Sequence, residues 1–442
     1  MQYALTDARL AYIFANISDA VCITKKNGAI LHVNNSAAKL FGLNDYEGMK
    51  VWDTIRFTET NDTLIQFFLD AVTQGKDISS LAQYEATDGK IYHLHVNMTY
   101  MDEEGGIFVI IARDLTELVR VSEAFARYTS PEIARYVLTT PEGEKQGGQM
   151  RDVTILMSDL RGFTAMSANL QPDTLLDILN HYFEAMLSVI KCYSGTVIEF
   201  LGDGIFVVFG APNNDDSHAE HAVYCAVGMQ KAMKAVNDWN ILRGYPELEM
   251  GIGINSGYAV VGNIGSADKM KYGCIGETVN FASRVETFTV GGQIYISERT
   301  RSRISAKLEI TSEQSFMPKG ATKPMRIFSV EGIGEEHMTQ GDYVMRETVK
   351  RPTVIFHKVN DKNIAGEVYT CEVVRVSSDE RYAVIESEEP LAAMQDIVMD
   401  IGGMLYAKAI SVSGRRMTIC FTSKPESFSD WVKKLMLCSS NE

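Results

Sequence analysis

Two aspartates at the ends of short apolar strands constrain this chain more than any other feature of its sequence. Asp159 follows the apolar run in the segment VTILMSDLRGFT at 153–164, and Asp203 lies within VIEFLGDGIFVVF at 197–209. A carboxylate at the end of a buried strand is costly unless it is paired or binds a metal. Two such carboxylates that converge could hold two divalent cations, which is the apparatus for an in-line phosphoryl displacement. The fold must therefore bring together two segments that are remote in sequence.

The bulk composition is that of an ordinary soluble globular protein, and 442 residues suggest roughly two to four domains. The net charge of −15 argues against broad binding to nucleic acid or anionic membranes, because both need a basic face. A nucleoside triphosphate remains a suitable ligand, since bound cations invert the local field. No apolar run approaches the ~20 residues of a membrane span. The seven scattered cysteines include no CxxC pair, so we expect reduced thiols and a cytoplasmic location.

Residues 1–115 have the pattern of a small mixed domain. Two short strands flank the Asn27-Gly28 dipeptide, which is a strong hairpin signal. Asn34 then offers an N-cap for a helix, and the last strand ends at Arg113-Asp114. This order resembles a PAS sensor domain. Its ligand or stimulus cannot be read from the sequence.

The segment 116–149 is predicted to be a helical linker that ends in a loop. A short heptad-like stripe recurs at three- and four-residue steps, in Leu115, Leu118, Ser122, Phe125 and Thr129. Such a stripe predicts a short coiled coil that pairs two protomers, or else a single amphipathic helix.

The region 150–333 combines helices with strands. Apolar faces predict helices at 172–191 and 218–239, and we expect a further hairpin built from strands at 248–254 and 258–261. Helices on one face of a mainly antiparallel sheet would form a ferredoxin-like α+β layer.

Residues 345–442 predict a small β-barrel or sandwich, with strands at 369–376, 381–386, 405–412 and 417–421. A distant likeness to PilZ domains depends on Arg346, Lys350 and Arg351, and that family's Asp-x-Ser-x-x-Gly motif is missing. A docking or structural module is the favoured interpretation. The sequence does not disclose its role.

The segments around Asp159 and Asp203 resemble the metal-binding motifs of class III nucleotide cyclases. A third segment, GETVNFASR at 276–284, strengthens this resemblance. In that family the ribose 3′-oxygen attacks the α-phosphorus of a nucleoside triphosphate, and pyrophosphate leaves. The overall expectation is an α+β chain with a PAS domain, a helical linker, a ferredoxin-like cyclase catalytic domain and a C-terminal β-rich domain.

The resemblance implies a role for each motif residue. Asp159 and Asp203 would bridge two Mg²⁺ or Mn²⁺ ions, with the Leu160 carbonyl on one of them. The turn that leads into the next helix would hold phosphate oxygens through its backbone N–H groups. Its residues are Gly162, Phe163 and Thr164.

Three more residues complete the implied machinery. Asn280 and Arg284 are four apart, so on a helix they project from one face. The family pattern makes Asn280 orient the ribose and Arg284 stabilise the transition state, while Lys319 would contact the triphosphate. One departure is Gly251, because some family members carry a triphosphate-binding arginine on that strand.

Two positions set base choice in this family, and here they are Glu199 and Gly273. Guanine presents N1–H and N2–H₂ donors where adenine presents an N1 acceptor. A carboxylate accepts both guanine donors, whereas the lysine that adenylate cyclases place at the first position cannot. Glu199 therefore favours GTP. Guanine O6 would be met by a backbone N–H, by water or by Cys274.

The family also builds its sites between protomers, so the resemblance implies a homodimer with two composite active sites that bind GTP. Within the enzymes, an adenylate cyclase that makes cyclic AMP is the alternative. A catalytically silent protein that binds nucleotide and signals by contact is an alternative of another class. A diguanylate cyclase is disfavoured, since no GGDEF-like turn occurs.

Overall fold

The computed structural model describes residues 8–43, 46, 48–102, 106–316, 324–338, 344–360, 363–389, 391–425 and 427–436. Contacts divide the chain into one unit at Met1–Tyr128 and another at Thr129–Glu442. None of the described helices has the length and apolarity needed to cross a bilayer.

The first unit is an antiparallel sheet with helices at its sides. Its elements are α1 (Ala8–Asn16), β1 (Ala20–Lys25), β2 (Ile30–Val33), α2 (Asn35–Phe41), a 3-10 turn (Val51–Thr54), α3 (Glu59–Gln74), β3 (Ile78–Glu85), β4 (Ile91–Met101), β5 (Ile107–Asp114) and α4 (Thr116–Tyr128). The strand order is β2-β1-β5-β4-β3. The N-cap prediction is confirmed, because the Asn34 side chain accepts the Ala37 N–H at 2.8 Å and α2 begins at the next residue.

The second unit begins with the elements of the predicted ferredoxin-like layer. They are α5 (Pro131–Thr139), β6 (Gly147–Leu160), α6 (Phe163–Ser167), α7 (Pro172–Cys192), β7 (Thr196–Leu201), β8 (Gly204–Phe209), α8 (His218–Leu242), β9 (Met250–Gly265), β10 (Met270–Ile275), α9 (Glu277–Thr287), β11 (Ile294–Ser297), α10 (Glu298–Arg301), β12 (Leu308–Phe316), β13 (Met325–Ile333) and β14 (Glu336–His337). Its sheet runs in the order β12-β13-β11-β9-β6-β8-β7, with β10 on β9 and β14 on β13.

The core of this sheet explains why β6 is apolar on both sides. Leu156 packs with α7 and α8 on one face, while Ile155 and Met157 pack with residues of α5 and α9 on the other. The sequence predicted helices on one face of the sheet, but helices cover both faces. A strand covered on both faces has a continuous apolar run instead of an alternating pattern.

The predicted hairpin at 248–261 is wrong. The segment 255–257 is not a turn, because β9 runs through it as one strand from Met250 to Gly265. The buried Asn255 side chain donates to the Thr278 carbonyl at 2.9 Å and accepts from Ser297 Oγ at 2.7 Å. Because the nitrogen and the oxygen of the Asn255 amide both have hydrogen-bond partners, this polar residue can lie inside a buried strand. The hairpin partner of β9 is β10.

The C-terminal part of the second unit is a β-barrel, as predicted. Its elements are β15 (Met345–Glu347), β16 (Thr353–Asn360), β17 (Asn363–Ile364), β18 (Tyr369–Ser377), β19 (Tyr382–Glu386), β20 (Asp396–Asp400), β21 (Met404–Ser413), β22 (Arg416–Ser423) and α11 (Phe428–Met436). The order β18-β19-β22-β21-β20-β16 closes because β16 also pairs with β18. We call these elements the barrel.

The buried His218 should make the free energy of unfolding depend on pH. Its Nδ1 lies 2.7 Å from Thr154 Oγ1, and burial lowers the pKa of the imidazole below its usual 6.5, an effect that Asp152 partly opposes. The unfolded chain therefore takes up a proton first as the pH falls. The free energy of unfolding should fall as the pH drops below about 6.5.

His218→Asn places a side-chain amide near the position of Nδ1, and this amide does not titrate. Chemical denaturation of both proteins across the acid range measures the difference, and the loss of stability should be shallower in the variant. Equal pH profiles would contradict this assignment.

Candidate active site

Two neighbouring strands bring Asp159 and Asp203 together. Asp159 is the penultimate residue of β6, opposite Gly251 of β9. Asp203 lies in the turn between β7 and β8, and β8 pairs with β6. The Leu160 N–H donates to Asp203 Oδ2 at 3.2 Å. Both carboxylates therefore lie at one end of the sheet.

A cleft of about 790 Å³ opens at this end of the sheet. Its walls include six of the predicted site residues, namely Asp159, Leu160, Gly162, Phe163, Thr164 and Asp203. Gly162 has a left-handed backbone and is the N-cap of the short helix α6, so the turn leads into a helix as predicted. The opposite walls come from the C-terminal end of α9 and from the barrel.

The Arg161 side chain lies behind the aspartates and is only 13% exposed. It forms a close ion pair with Glu286 of α9, and its Nη2 donates to Thr289 Oγ1 at 3.3 Å. Its Nη1 is 4.0 Å from Asp159 Oδ2. Burial lowers the pKa of the guanidinium, and the carboxylates of Asp159 and Asp203 oppose this shift. The arginine therefore ties the end of β6 to α9.

The Arg161 side chain also explains the departure at Gly251. A Cβ at position 251 would lie 2.7 Å from Arg161 Nη2 and inside contact distance of Thr289 Oγ1. The strand has no room for a longer side chain there. A cation at this place in the fold therefore comes from the turn after Asp159 instead of from β9.

The two predicted base-selecting positions lie on strands that do not pair with each other, β7 and β10, but a side-chain ion pair joins these strands. Glu199 of β7 forms a close ion pair with Lys271 of β10, and Gly273 is two residues further along β10. Side chains two apart on a strand share a face, so Lys271 and Gly273 point the same way. The Glu199 side chain is 45% exposed in the single chain, so it is not buried there.

Cys274 does not share that face. It is 5% exposed and packs in the core with Tyr272, and burial raises the pKa of its thiol to about 12. The suggestion that Cys274 meets guanine O6 is therefore wrong. The cation on the same face of β10 as Gly273 is Lys271.

Asn280 and Arg284 lie on the exposed face of α9, whose other face is buried by Phe281, Ala282 and Val285. They are not among the residues that line the cleft of the same chain. Lys319 lies outside the described residues, so its predicted contact with the triphosphate stays a prediction.

The donor set of the cleft suits a hard divalent cation. Within the described residues, no group of three or more His, Cys, Asp or Glu side chains has a metal-binding arrangement. Two carboxylates meet here, and Mg²⁺ is commonly held by one or two carboxylates together with water and substrate phosphates. The residues present therefore fit the metal ions that the aspartate motifs imply.

Sequence reasoning missed the contacts that cross long stretches of chain. Lys271 could have been found, because strand alternation puts it beside Gly273. The pairing of Arg161 with Glu286 has no local signal. The same holds for the barrel residues in the cleft wall, which are Asp396, Tyr406, Lys408, Thr422 and Ser423.

Comparisons with protein families agree with these motifs. Residues 146–332 match the family described as "Adenylate and Guanylate cyclase catalytic domain", and residues 18–117 match a PAS domain family.

Curated relatives include "Adenylate cyclase 1" of Rhizobium meliloti (strain 1021), which is 29% identical over 211 residues, 47% of this chain and 32% of that protein. "Adenylate cyclase" of Anabaena cylindrica is 28% identical over 228 residues, 49% of this chain and 44% of that protein. The chain thus spans less than half the length of these relatives.

Similar solved structures include the guanylyl cyclase Cya2, which is 46% identical, with 43% of this chain and 96% of that chain covered and a TM-score of 0.42. The adenylyl cyclase CyaB from P. aeruginosa is 34% identical, with 43% and 98% covered and a TM-score of 0.41. Proteins named for either nucleotide therefore occur among the relatives.

Substitution of Gly251 by alanine tests the packing behind the aspartates. Because the new methyl group would overlap Thr289 and the Arg161 guanidinium, we expect a loss of ~1–3 kcal/mol in the free energy of unfolding. Gly366→Ala is the matched control, since a Cβ there meets nothing within 4 Å. Thermal denaturation compares the two variants, and equal stability would contradict the packing described here.

Proposed function

The chain belongs to the class III nucleotide cyclases and carries a PAS domain before its catalytic domain, and we propose that it converts GTP to 3′,5′-cyclic GMP and pyrophosphate. The observation that carries the choice of nucleotide is the ion pair of Glu199 with Lys271, a lysine on the same face of β10 as Gly273. An ionised carboxylate is a hydrogen-bond acceptor only.

Polar matching explains why this pair suits guanine. A carboxylate has lone pairs left after one ion pair, so it can still accept guanine N1–H and N2–H₂. The Lys271 ammonium has donors to spare for guanine O6, the contact that Gly273 cannot make. Adenine would set its N1 acceptor against the carboxylate, at a cost of ~1–3 kcal/mol. Such polar matching discriminates more strongly than pocket volume does.

The proposed reaction is an intramolecular displacement. The ribose 3′-oxygen forms a bond to the α-phosphorus while the bond from that phosphorus to the departing pyrophosphate breaks. Asp159 and Asp203 would hold two Mg²⁺ or Mn²⁺ ions together with the Leu160 carbonyl. Bound there, the ions would lower the pKa of the 3′-hydroxyl and neutralise phosphate charge. The turn of Gly162, Phe163 and Thr164 would orient the phosphates through its backbone N–H groups.

We propose that Asn280 and Arg284 act across a homodimer. Their exposure on α9, outside the cleft lining of their own chain, supports a site completed by a second subunit. Asn280 would orient the ribose, and the Arg284 cation would face charge that develops in the transition state. Lys319 is proposed to join them. The PAS domain is proposed to regulate the dimer through α4, whose exposed apolar residues include Leu118 and Val121.

Product identification tests the proposal directly. Purified protein incubated with Mn²⁺ and either GTP or ATP should release cyclic GMP faster than cyclic AMP. A preference for ATP would favour the second candidate, an adenylate cyclase, in line with the curated relatives named so. Nucleotide binding without any cyclic product would favour a silent sensor.

Asp159→Ala should reduce turnover to background, because it removes one of the two carboxylates that meet in the cleft. Circular dichroism should show an unchanged fold, since the side chain is 42% exposed. Asp238→Ala is the control, as that exposed carboxylate pairs with Lys234 at 2.9 Å. Full activity in Asp159→Ala would contradict the proposed metal site.

Base choice should follow the charge at position 199. A triple variant with Glu199→Lys, Gly273→Thr and Lys271→Gln reverses the donor pattern without leaving two cations side by side. We expect the ratio of kcat/KM for ATP over GTP to rise about 10- to 100-fold, equivalent to ~1–3 kcal/mol. Glu335→Gln, at an exposed glutamate, makes the same change of +1 in net charge and is the control. An unchanged ratio would refute the role assigned to Glu199.

A further inference from the structure

The barrel forms part of the cleft that holds Asp159 and Asp203. The contributing residues come from its adjacent strands β20, β21 and β22. The Thr422 carbonyl oxygen lies 3.0 Å from the position that a Cβ on Gly162 would take. The backbone of the barrel therefore packs directly on the turn proposed to bind phosphate.

Arg381 fastens the barrel beside this turn. Its Nε lies 3.0 Å from Glu249 Oε1, and its Nη2 donates to the Gly291 carbonyl at 2.7 Å. The Glu249 carbonyl in turn accepts the Arg161 N–H at 2.7 Å. The attachment point is thus one hydrogen bond away from the segment that follows Asp159.

Lys408 fastens the barrel to the opposite wall of the cleft. Its side chain is 6% exposed, its Nζ donates to the Thr287 carbonyl at the last residue of α9, and Asp396 Oδ1 is 3.6 Å away. Met394 joins the apolar cluster that includes Phe281 and Val285 of the same helix. The barrel therefore holds the helix that carries Asn280 and Arg284.

The charge balance of the barrel's wall is unsuited to a triphosphate. The barrel brings the Asp396 carboxylate and the Thr422 carbonyl, both of which repel phosphate oxygens, together with the uncharged hydroxyl groups of Tyr406, Thr422 and Ser423. Its lysine in the wall already has Asp396 and the Thr287 carbonyl as partners. A wall built to bind a triphosphate would present free cations as well, because hydroxyl donors alone do not neutralise phosphate charge.

We propose that the barrel is an autoinhibitory module, which in its docked position covers the phosphate turn and fixes the end of α9. This inference rests on the proposed function. The barrel must move away before a phosphate oxygen can take the place that the Thr422 carbonyl holds beside Gly162, and before a second subunit can bring its α9 to the cleft. The docked and released positions form a two-state equilibrium, and anything that weakens docking raises the population of the active form.

Arg381→Ala tests the proposal without changing a residue of the cleft. We expect GTP turnover to rise at least about fivefold, because the docked fraction falls. Hydrogen–deuterium exchange should rise in 161–164 and at 283–289, where the barrel now lies. Arg415→Ala is the matched control, since that arginine is in the same barrel but pairs on its surface with Glu388 at 2.8 Å. The control should change neither readout.

Lys408→Met is a second variant, in case Arg381→Ala unfolds the barrel, and it should raise both readouts as well. A fall in kcat/KM in the folded variants would overturn the proposal, because the barrel would then assist the substrate. Increased exchange with unchanged turnover would also overturn it, as would unchanged exchange. Exchange does not depend on catalysis, so a chain that makes no cyclic nucleotide would refute the proposed function while docking stayed measurable.

Discussion

The pairing of β6 with β8 on one edge and β9 on the other is the constraint on which the catalytic unit depends. The strand is covered on both faces, so its register is fixed by burial as well as by hydrogen bonds. That register sets Asp159 beside the turn that carries Asp203. The hydrogen bond from Leu160 N–H to Asp203 then holds the two segments together. Every other part of the candidate site is positioned relative to this strand end.

Arg161 shows how the structure tolerates a charged group behind the site. Burying a cation costs several kcal/mol unless well-placed anions compensate it. Here Glu286 and Asp159 do so from two different elements, and Thr289 adds a hydrogen bond. The absence of a side chain at Gly251 is what leaves space for this arrangement. Gly251, which departs from the family pattern, is therefore what allows Arg161 to be buried at this place.

The sequence was informative where the signal is local. The helices α7 and α8 begin at the predicted Pro172 and His218, since a proline at the first turn and an apolar stripe are read within a few residues. The prediction of a hairpin at 248–261 was wrong because the hydrogen-bond partners of Asn255 lie on elements distant in sequence. Four strands of the barrel, β18, β19, β21 and β22, were predicted, but β16 and β20, which close it, and its contact with the cleft were not. Docking through Arg381 and Lys408 depends on chain segments that no periodicity connects.

The attachment of Lys408 to the last turn of α9 has a consequence for mixed assemblies. In the proposed dimer, each α9 contacts a nucleotide whose metal ions would be held by the aspartates of the other chain. The barrel of one chain therefore restrains the helix that acts in trans, while it also shields its own aspartates. In a dimer in which only one chain carries a substitution in its barrel, both active sites would therefore change, to different extents. The two sites would no longer be equivalent.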